Sequence, residues 1–308
     1  VCGAWQRERS MMRRGGGAVL YWRAALELYE MMDAARRQST IELVAIDMDG
    51  TLLDPSHQLT ARTRQAIARA RALGVRVVLA SGRPVSGLKP YLDALEIGGD
   101  DDYCIACNGG VVQSVGTGER VVEFPLSYDD FVVCARAADA LGVHFQALDG
   151  ERLYTPNRDI SRYTVLDAHL SHLPLSYRAI EDIDPATTFI KLMMIDEPDV
   201  LDAAMQRLPA AVTARFAVLK SAAFFLELFD PRAGKGASLQ TLAEHLGIDR
   251  SRVMAIGDQE NDLTMLRFAG TSVAMGNAID AVKAAALHQT GSNAEDGAAA
   301  AIEALVLR

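Results

Sequence analysis

Three short apolar runs in this 308-residue chain each lead into a polar residue: "LVAI" into Asp47, "VVLA" into Ser81 and "VMAIG" into Asp258. Runs of this length, rich in aliphatic side chains, read as strands buried on both faces, the signature of a parallel sheet covered by helices. Helical stretches lie between them. "TARTRQAIARARALG" has Thr60 as N-cap and Gly74 as terminator, and "GLKPYLDALEIG" reads as a helix despite Pro90 near its start. "DYCIACNGG" and "TSVAMG" supply further strands, while "KGASLQTLAEHLG", "ENDLTMLRFAG" and "AIDAVKAAALHQT" supply further helices. Strands alternating with helices over short loops predict a doubly wound α/β core with a mostly parallel, Rossmann-like sheet. Ligands of such sheets collect outside the carboxyl ends of the strands, so Asp47, Ser81 and Asp258 are expected to face one crevice. Lys235 opens the helix before the Asp258 strand and is placed to join them.

The alternation is interrupted once. From about Phe124 to Asp230 the composition shifts to aromatic and β-branched segments such as "FQALDGERLYTP", "TFIKLMMID" and "FFLELFD", joined by the helices "YDDFVVCARAADALG" and "EPDVLDAAMQRL". The chain is long enough for roughly two domains. The expected organisation is an extension at 1–40, the first part of the core at 41–123, an inserted α+β domain at 124–230 and the second part of the core at 231–308. The extension begins without Met and carries Arg clusters, a triple Gly and a helix-like stretch. Arg23, Glu27 and Glu30 interrupt its apolar run, so neither a spanning helix nor a secretory signal fits. It reads as a translated upstream region or an accessory helix, without chemistry.

Charge narrows the choice of partner. The net charge of −9 gives no support for nucleic-acid or anionic-membrane binding, which need a basic face. Of the four cysteines, Cys104 and Cys107 have C-x-x-C spacing, but no second pair completes a zinc site and "NGG" follows where a redox motif would want a helix. Cys2, Cys104, Cys107 and Cys134 therefore read as reduced, mostly buried thiols of a cytoplasmic protein. His169 and His172 lack a third ligand at useful spacing and read as surface or cap histidines.

Asp47 and Asp49 stand at the mouth of a hydrophobic strand, where neither can be left unpaired cheaply. Asp47 and Asp258 suit a hard cation such as Mg²⁺, which takes oxygen ligands. The chain must turn through Gly50 directly after Asp49, so the Asp49 carbonyl is a reasonable third ligand while its side chain stays free to move protons. Ser81 offers a hydroxyl and Lys235 a point charge, which match a phosphoryl group gaining negative charge in the transition state. Between a metal and a lysine, Asp47 is placed to attack phosphorus directly. Asp54, Asp93 and the run Asp100 to Asp102 read as caps and turns.

These residues resemble the motifs of the haloacid dehalogenase superfamily. "DMDGT" (Asp47 to Thr51) is similar to its first motif, Ser81 in "ASGRP" to the second, Lys235 in "GKG" to the third, and "GDQEND" with Asp258, Asn261 and Asp262 to the fourth. The insertion falls between the second and third motifs, as in type-2 capped members. "NGG", "DGERLYT", "NRDIS", "KLMMIDEP" and "FFLELFDPRAGKG" look like the Cof-type sugar-phosphate phosphatases. The resemblance covers about Ile41 to Arg308. It implies Asp47 as nucleophile, Asp49 as acid/base, Asp258 as Mg²⁺ ligand, and Asn261 with Asp262 supporting the metal and its loop. Gly50, Thr51 and Gly82 are then expected against the substrate, and Asn108 either touches it or simply turns the chain. Arg158 and Lys191 are the cap candidates for an anion or hydroxyl-rich contact, with ordinary surface or boundary charges as the plainer reading. The implied activity is Mg²⁺-dependent hydrolysis of a small phosphorylated metabolite, by a monomer or homodimer. A phosphosugar mutase is the enzymatic rival and a non-catalytic phosphometabolite-binding regulator the third reading. A dehalogenase fits poorly, because Asp49 is present.

Overall fold

The apolar runs become the centre of an eight-stranded sheet because their side chains need burial on both faces. The computed structural model describes residues 41–307; the expectation for residues 1–40 lies outside them. In chain order the first part of the core comprises β1 (Leu43–Asp47), α1 (Ala61–Ala72), β2 (Arg76–Ala80), α2 (Val85–Ala94), β3 (Tyr103–Ala106), β4 (Val111–Ser114) and β5 (Arg120–Glu123). Next come α3 (Tyr128–Leu141), β6 (His144–Leu148), β7 (Leu153–Thr155), α4 (Arg162–Ser171), β8 (Leu175–Tyr177) and β9 (Lys191–Ile195). These are followed by α5 (Pro198–Met205), α6 (Ala210–Thr213), β10 (Ala217–Ala222) and β11 (Phe225–Phe229). The chain ends with α7 (Lys235–His245), β12 (Val253–Gly257), α8 (Leu263–Phe268), β13 (Thr271–Ala274), α9 (Asp280–Ala285), β14 (His288–Gln289) and α10 (Gly297–Leu305).

The core sheet runs β14-β13-β12-β1-β2-β3-β4-β5. Its central strands are parallel, with Ala45 opposite both Ala255 and Val78, which sets the ends of β12, β1 and β2 side by side. Every residue of β1 is buried. Thr60 caps α1 by accepting the Thr63 N–H at 3.1 Å, as its position before the apolar period predicts. The doubly wound α/β class is observed, with an antiparallel edge: β3 pairs with β4 and β4 with β5 in that sense. The stretch "AIDAVKAAALHQT" is not one helix as expected. Ala286 turns extended, and His288 and Gln289 pair with Val273 and Ala274, so the hydrogen bonds of an open sheet edge outweigh local helix propensity.

A second sheet, β10-β11-β9-β6-β7-β8, has its own apolar core. Ser127 and Asp130 form a capping box that starts α3, and Gly142 ends it in the left-handed conformation. Phe131 on α3 stacks on Phe189 with ring centroids 5.0 Å apart. Side chains alternate across β9, so Leu192 and Met194 join this core while Lys191 and Met193 face the other way. Cys104, Cys107 and Cys134 are free, buried thiols; burial pushes each up to about 12. Among the described residues no helix is long and apolar enough to cross a membrane.

Candidate active site

The parallel register of β12, β1 and β2 brings their polar termini to one sheet edge. After β1 the chain winds tightly through Met48–Leu52, with Gly50 at φ 86°. A Cβ on Gly50 would lie 2.5 Å from Asp258 Oδ2, so both the backbone and the space require glycine. Thr51 Oγ1 then donates to Asp258 Oδ1 at 2.7 Å. Asp262 steadies the loop after β12: its Oδ2 accepts the N–H groups of Asp258 at 2.9 Å and Gln259 at 3.0 Å. Lys235, 1% exposed at the start of α7, donates to Asp47 Oδ1 at 2.5 Å and Asp262 Oδ1 at 2.6 Å.

Charge in this cluster is unbalanced. Asp47, Asp258 and Asp262 are all buried and can bring one carboxylate oxygen each within 4.8 Å of the others. Lys235 is an ammonium bonded to two of them, Asp47 and Asp262. Burial, then Asp262, pushes the Asp47 carboxyl well above the usual range, against the pull of Lys235. Burial also raises Asp258, although Thr51 pulls it down. Burial alone would lower Lys235, but Asp262 and Asp47 override it and hold the ammonium above its usual range. An all-oxygen donor set with excess negative charge fits a hard divalent cation. Asp262 is held by the Lys235 ammonium and two fixed backbone N–H groups, whereas Asp258 accepts only from the neutral side chains of Thr51 and Gln259, so Asp47 and Asp258 are the side chains that would hold it.

Asp49 departs from expectation. Its side chain is not free: Arg83 Nε donates to Oδ2 at 2.9 Å and Nη2 to Oδ1 at 2.6 Å, while His57 Nδ1 lies 3.1 Å from Oδ1. The loop after β2 projects Arg83 toward the turn after β1, a meeting that no local spacing reveals. Ser81 is buried beside Asp47 at the end of the neighbouring strand, and its hydroxyl accepts the Arg83 N–H at 3.2 Å.

Asn108, Gly82, Lys191 and Asn261 also come together. Asn108 has φ 55° and ψ 32°, and the following Gly109 packs so closely that a Cβ there would be 2.5 Å from Gly234 backbone. Asn261 Nδ2 donates to Asn108 Oδ1 at 2.9 Å. Lys191, 4% exposed, reaches Gly82 O at 3.3 Å. Arg158 does not join: it is exposed, donating to Tyr177 Oη at 3.1 Å on the edge strand β8. Its guanidinium also sits over the Tyr177 ring, 5.8 Å from the centroid, a cation–π contact that keeps it at that edge. His169 and His172 lie at the end of α4 with ring centroids 6.3 Å apart. Arg83 and Glu227 were missed by sequence reasoning. Glu227 leaves a signal, a single acidic residue inside the apolar "FFLELF".

A family model described as haloacid dehalogenase-like hydrolase matches residues 44–302. YxeH of Bacillus subtilis strain 168, provisionally named a phosphatase, is 43% identical over 266 residues, covering 86% of this chain and 98% of that protein. YwtE of the same organism, named a 5-amino-6-(5-phospho-D-ribitylamino)uracil phosphatase, is 30% identical over 292 residues, 86% of this chain and 98% of that one. A crystal structure of a haloacid dehalogenase-like hydrolase from Bacteroides thetaiotaomicron matches with TM-score 0.79 and 32% identity, covering 86% of this chain and 99% of that chain. With its sheet-edge aspartates, lysine and inserted second sheet, this chain belongs to the haloacid dehalogenase-like hydrolases.

Proposed function

We propose that the protein hydrolyses small phosphomonoesters, sugar phosphates among them, through an aspartyl-phosphate on Asp47. The observation that carries this reading is the buried Asp47 carboxylate, bonded to Lys235 through one oxygen, with Asp258 on the adjacent strand end and Asp49 two residues away. Mg²⁺, when bound through Asp47, Asp258 and the Asp49 carbonyl, supplies positive charge for the phosphoryl oxygens. A free oxygen of Asp47 bonds to phosphorus as the ester P–O bond breaks, and Asp49 gives its proton to the departing alkoxide. Asp49 then takes a proton from water, which attacks phosphorus and breaks the Asp47–phosphorus linkage. Lys235 and Ser81 meet the phosphoryl oxygens during both steps. Asp49 must leave Arg83 to do this work.

The substrate reading is supported by the family and by YwtE, which is named for a phosphate on a ribityl chain. The test is initial-rate phosphate release from sugar phosphates, polyol phosphates and nucleotides, with Mg²⁺ and with EDTA. Release by wild type and none detectable from Asp47→Asn is the expected result. Normal turnover by D47N would replace the covalent route, and isomer conversion without phosphate release would favour the mutase.

A further inference from the structure

Glu227 is a carboxylate set in the middle of an apolar strand, and none of the steps above uses it. It is 3% exposed, while its neighbours Leu226 and Leu228 enter the core beneath α3. Its Oε1 accepts from Ser221 Oγ at 2.8 Å and from Lys191 Nζ at 3.3 Å. Its Oε2 accepts from Asn108 Nδ2 at 2.9 Å. Asn108 Oδ1 in turn accepts from Asn261, which lies in the loop between Asp258 and Asp262. A continuous hydrogen-bonded chain therefore runs from β11 of the second sheet to the carboxylate loop of the first.

The middle link cannot easily move. Asn108 occupies the left-handed region, Gly109 abuts Gly234, and Ser238 Oγ donates to Gly109 O at 2.7 Å. Its amide faces an acceptor-only carboxylate on one side and the Asn261 amide donor on the other, so only one orientation satisfies both. Removing the carboxylate would leave Asn108 Nδ2 without that acceptor and the loop without its tie to the second sheet, beside the bonds that Asp262 makes within it.

We infer that Glu227 is a positioning residue: from the second sheet it orients Asn108, and through Asn108 and Asn261 it sets the loop that presents Asp258. Partners beyond the direct ligands of a metal commonly govern roughly 10–100-fold in affinity or activity. The kinetic consequence rests on the phosphatase reading; the metal-binding consequence does not.

The plainer alternative, that Glu227 only neutralises Lys191, is separated by two variants in which that charge is gone. Lys191→Met/Glu227→Gln keeps an oxygen for Asn108, whereas Lys191→Met/Glu227→Leu does not. Mg²⁺ affinity is measured by titration calorimetry without substrate, beside kcat, KM and thermal melting. The Leu variant is expected to bind Mg²⁺ about tenfold more weakly and lose about tenfold in kcat, with KM moving less than about threefold. The Gln variant is expected to stay within about threefold of Lys191→Met in each quantity. Equal Mg²⁺ affinity and kcat in the two variants, or a difference in melting alone, overturns the inference. Should the Leu variant not fold, Asn108→Gly keeps the backbone conformation and removes the amide; unchanged Mg²⁺ affinity there overturns it equally. A split in Mg²⁺ affinity without phosphate release by wild type would refute the phosphatase reading and leave the role of Glu227 standing.

Discussion

Asp49 and Arg83 show how one side chain can be prepared for two states. The guanidinium holds both carboxylate oxygens in a forked pair, a geometry that fixes direction as well as charge. Asp49→Asn, which removes the proposed acid/base, is expected to cost about 10²–10⁴-fold in kcat. Arg83→Met keeps the acid but loses its guide, so a smaller loss of about tenfold in kcat with little change in KM is expected. Steady-state phosphate release measures both. If R83M were as damaging as D49N, Arg83 would have a direct part in the reaction.

At the scale of elements, α1 and the entry to β3 are clipped together by one ion pair. Arg71 donates to Asp102 through Nη1 at 2.7 Å and Nη2 at 3.1 Å, and the Gly98 and Gly99 N–H groups add bonds at 3.0 and 2.9 Å. Burial works to raise the Asp102 pKa, but the Arg71 bond and the backbone donors outweigh it and lower it from the usual range. A depressed folded-state pKa means that this stabilisation is full above the unfolded value of about 3.9 and fades as pH falls through the lower folded value. Asp102→Asn is therefore expected to cost about 1 kcal/mol at neutral pH, after allowance for solvent screening. Denaturant melts should show that gap narrowing in strong acid; a gap independent of pH would assign the cost to packing.

For the whole molecule, the excess negative charge among Asp47, Asp258 and Asp262 is a debt to folding that a bound cation relieves. Mg²⁺ at 100 times its dissociation constant is expected to stabilise the native state by about 2.7 kcal/mol. Thermal melts of EDTA-treated protein with and without Mg²⁺ read this directly. Asp258→Asn should abolish most of the shift, and a full shift in that variant would place the stabilising ion elsewhere.

The sequence by itself determined the alternating core and the strand ends that carry Asp47, Ser81 and Asp258, because burial on two faces and turn chemistry are written in contiguous residues. It also marked Lys235, Gly50 and Asn108 through their motifs. Only the tertiary structure decided that Arg83 holds Asp49, that Lys191 reaches Gly82 while Arg158 stays on Tyr177, and that Glu227 touches Asn108. Asn108 and Glu227 are 119 positions apart, the one in the turn between β3 and β4 of the first sheet and the other on β11 of the second. Their meeting depends on how two separately packed apolar cores are set against each other, and no local period or spacing in the chain encodes that placement.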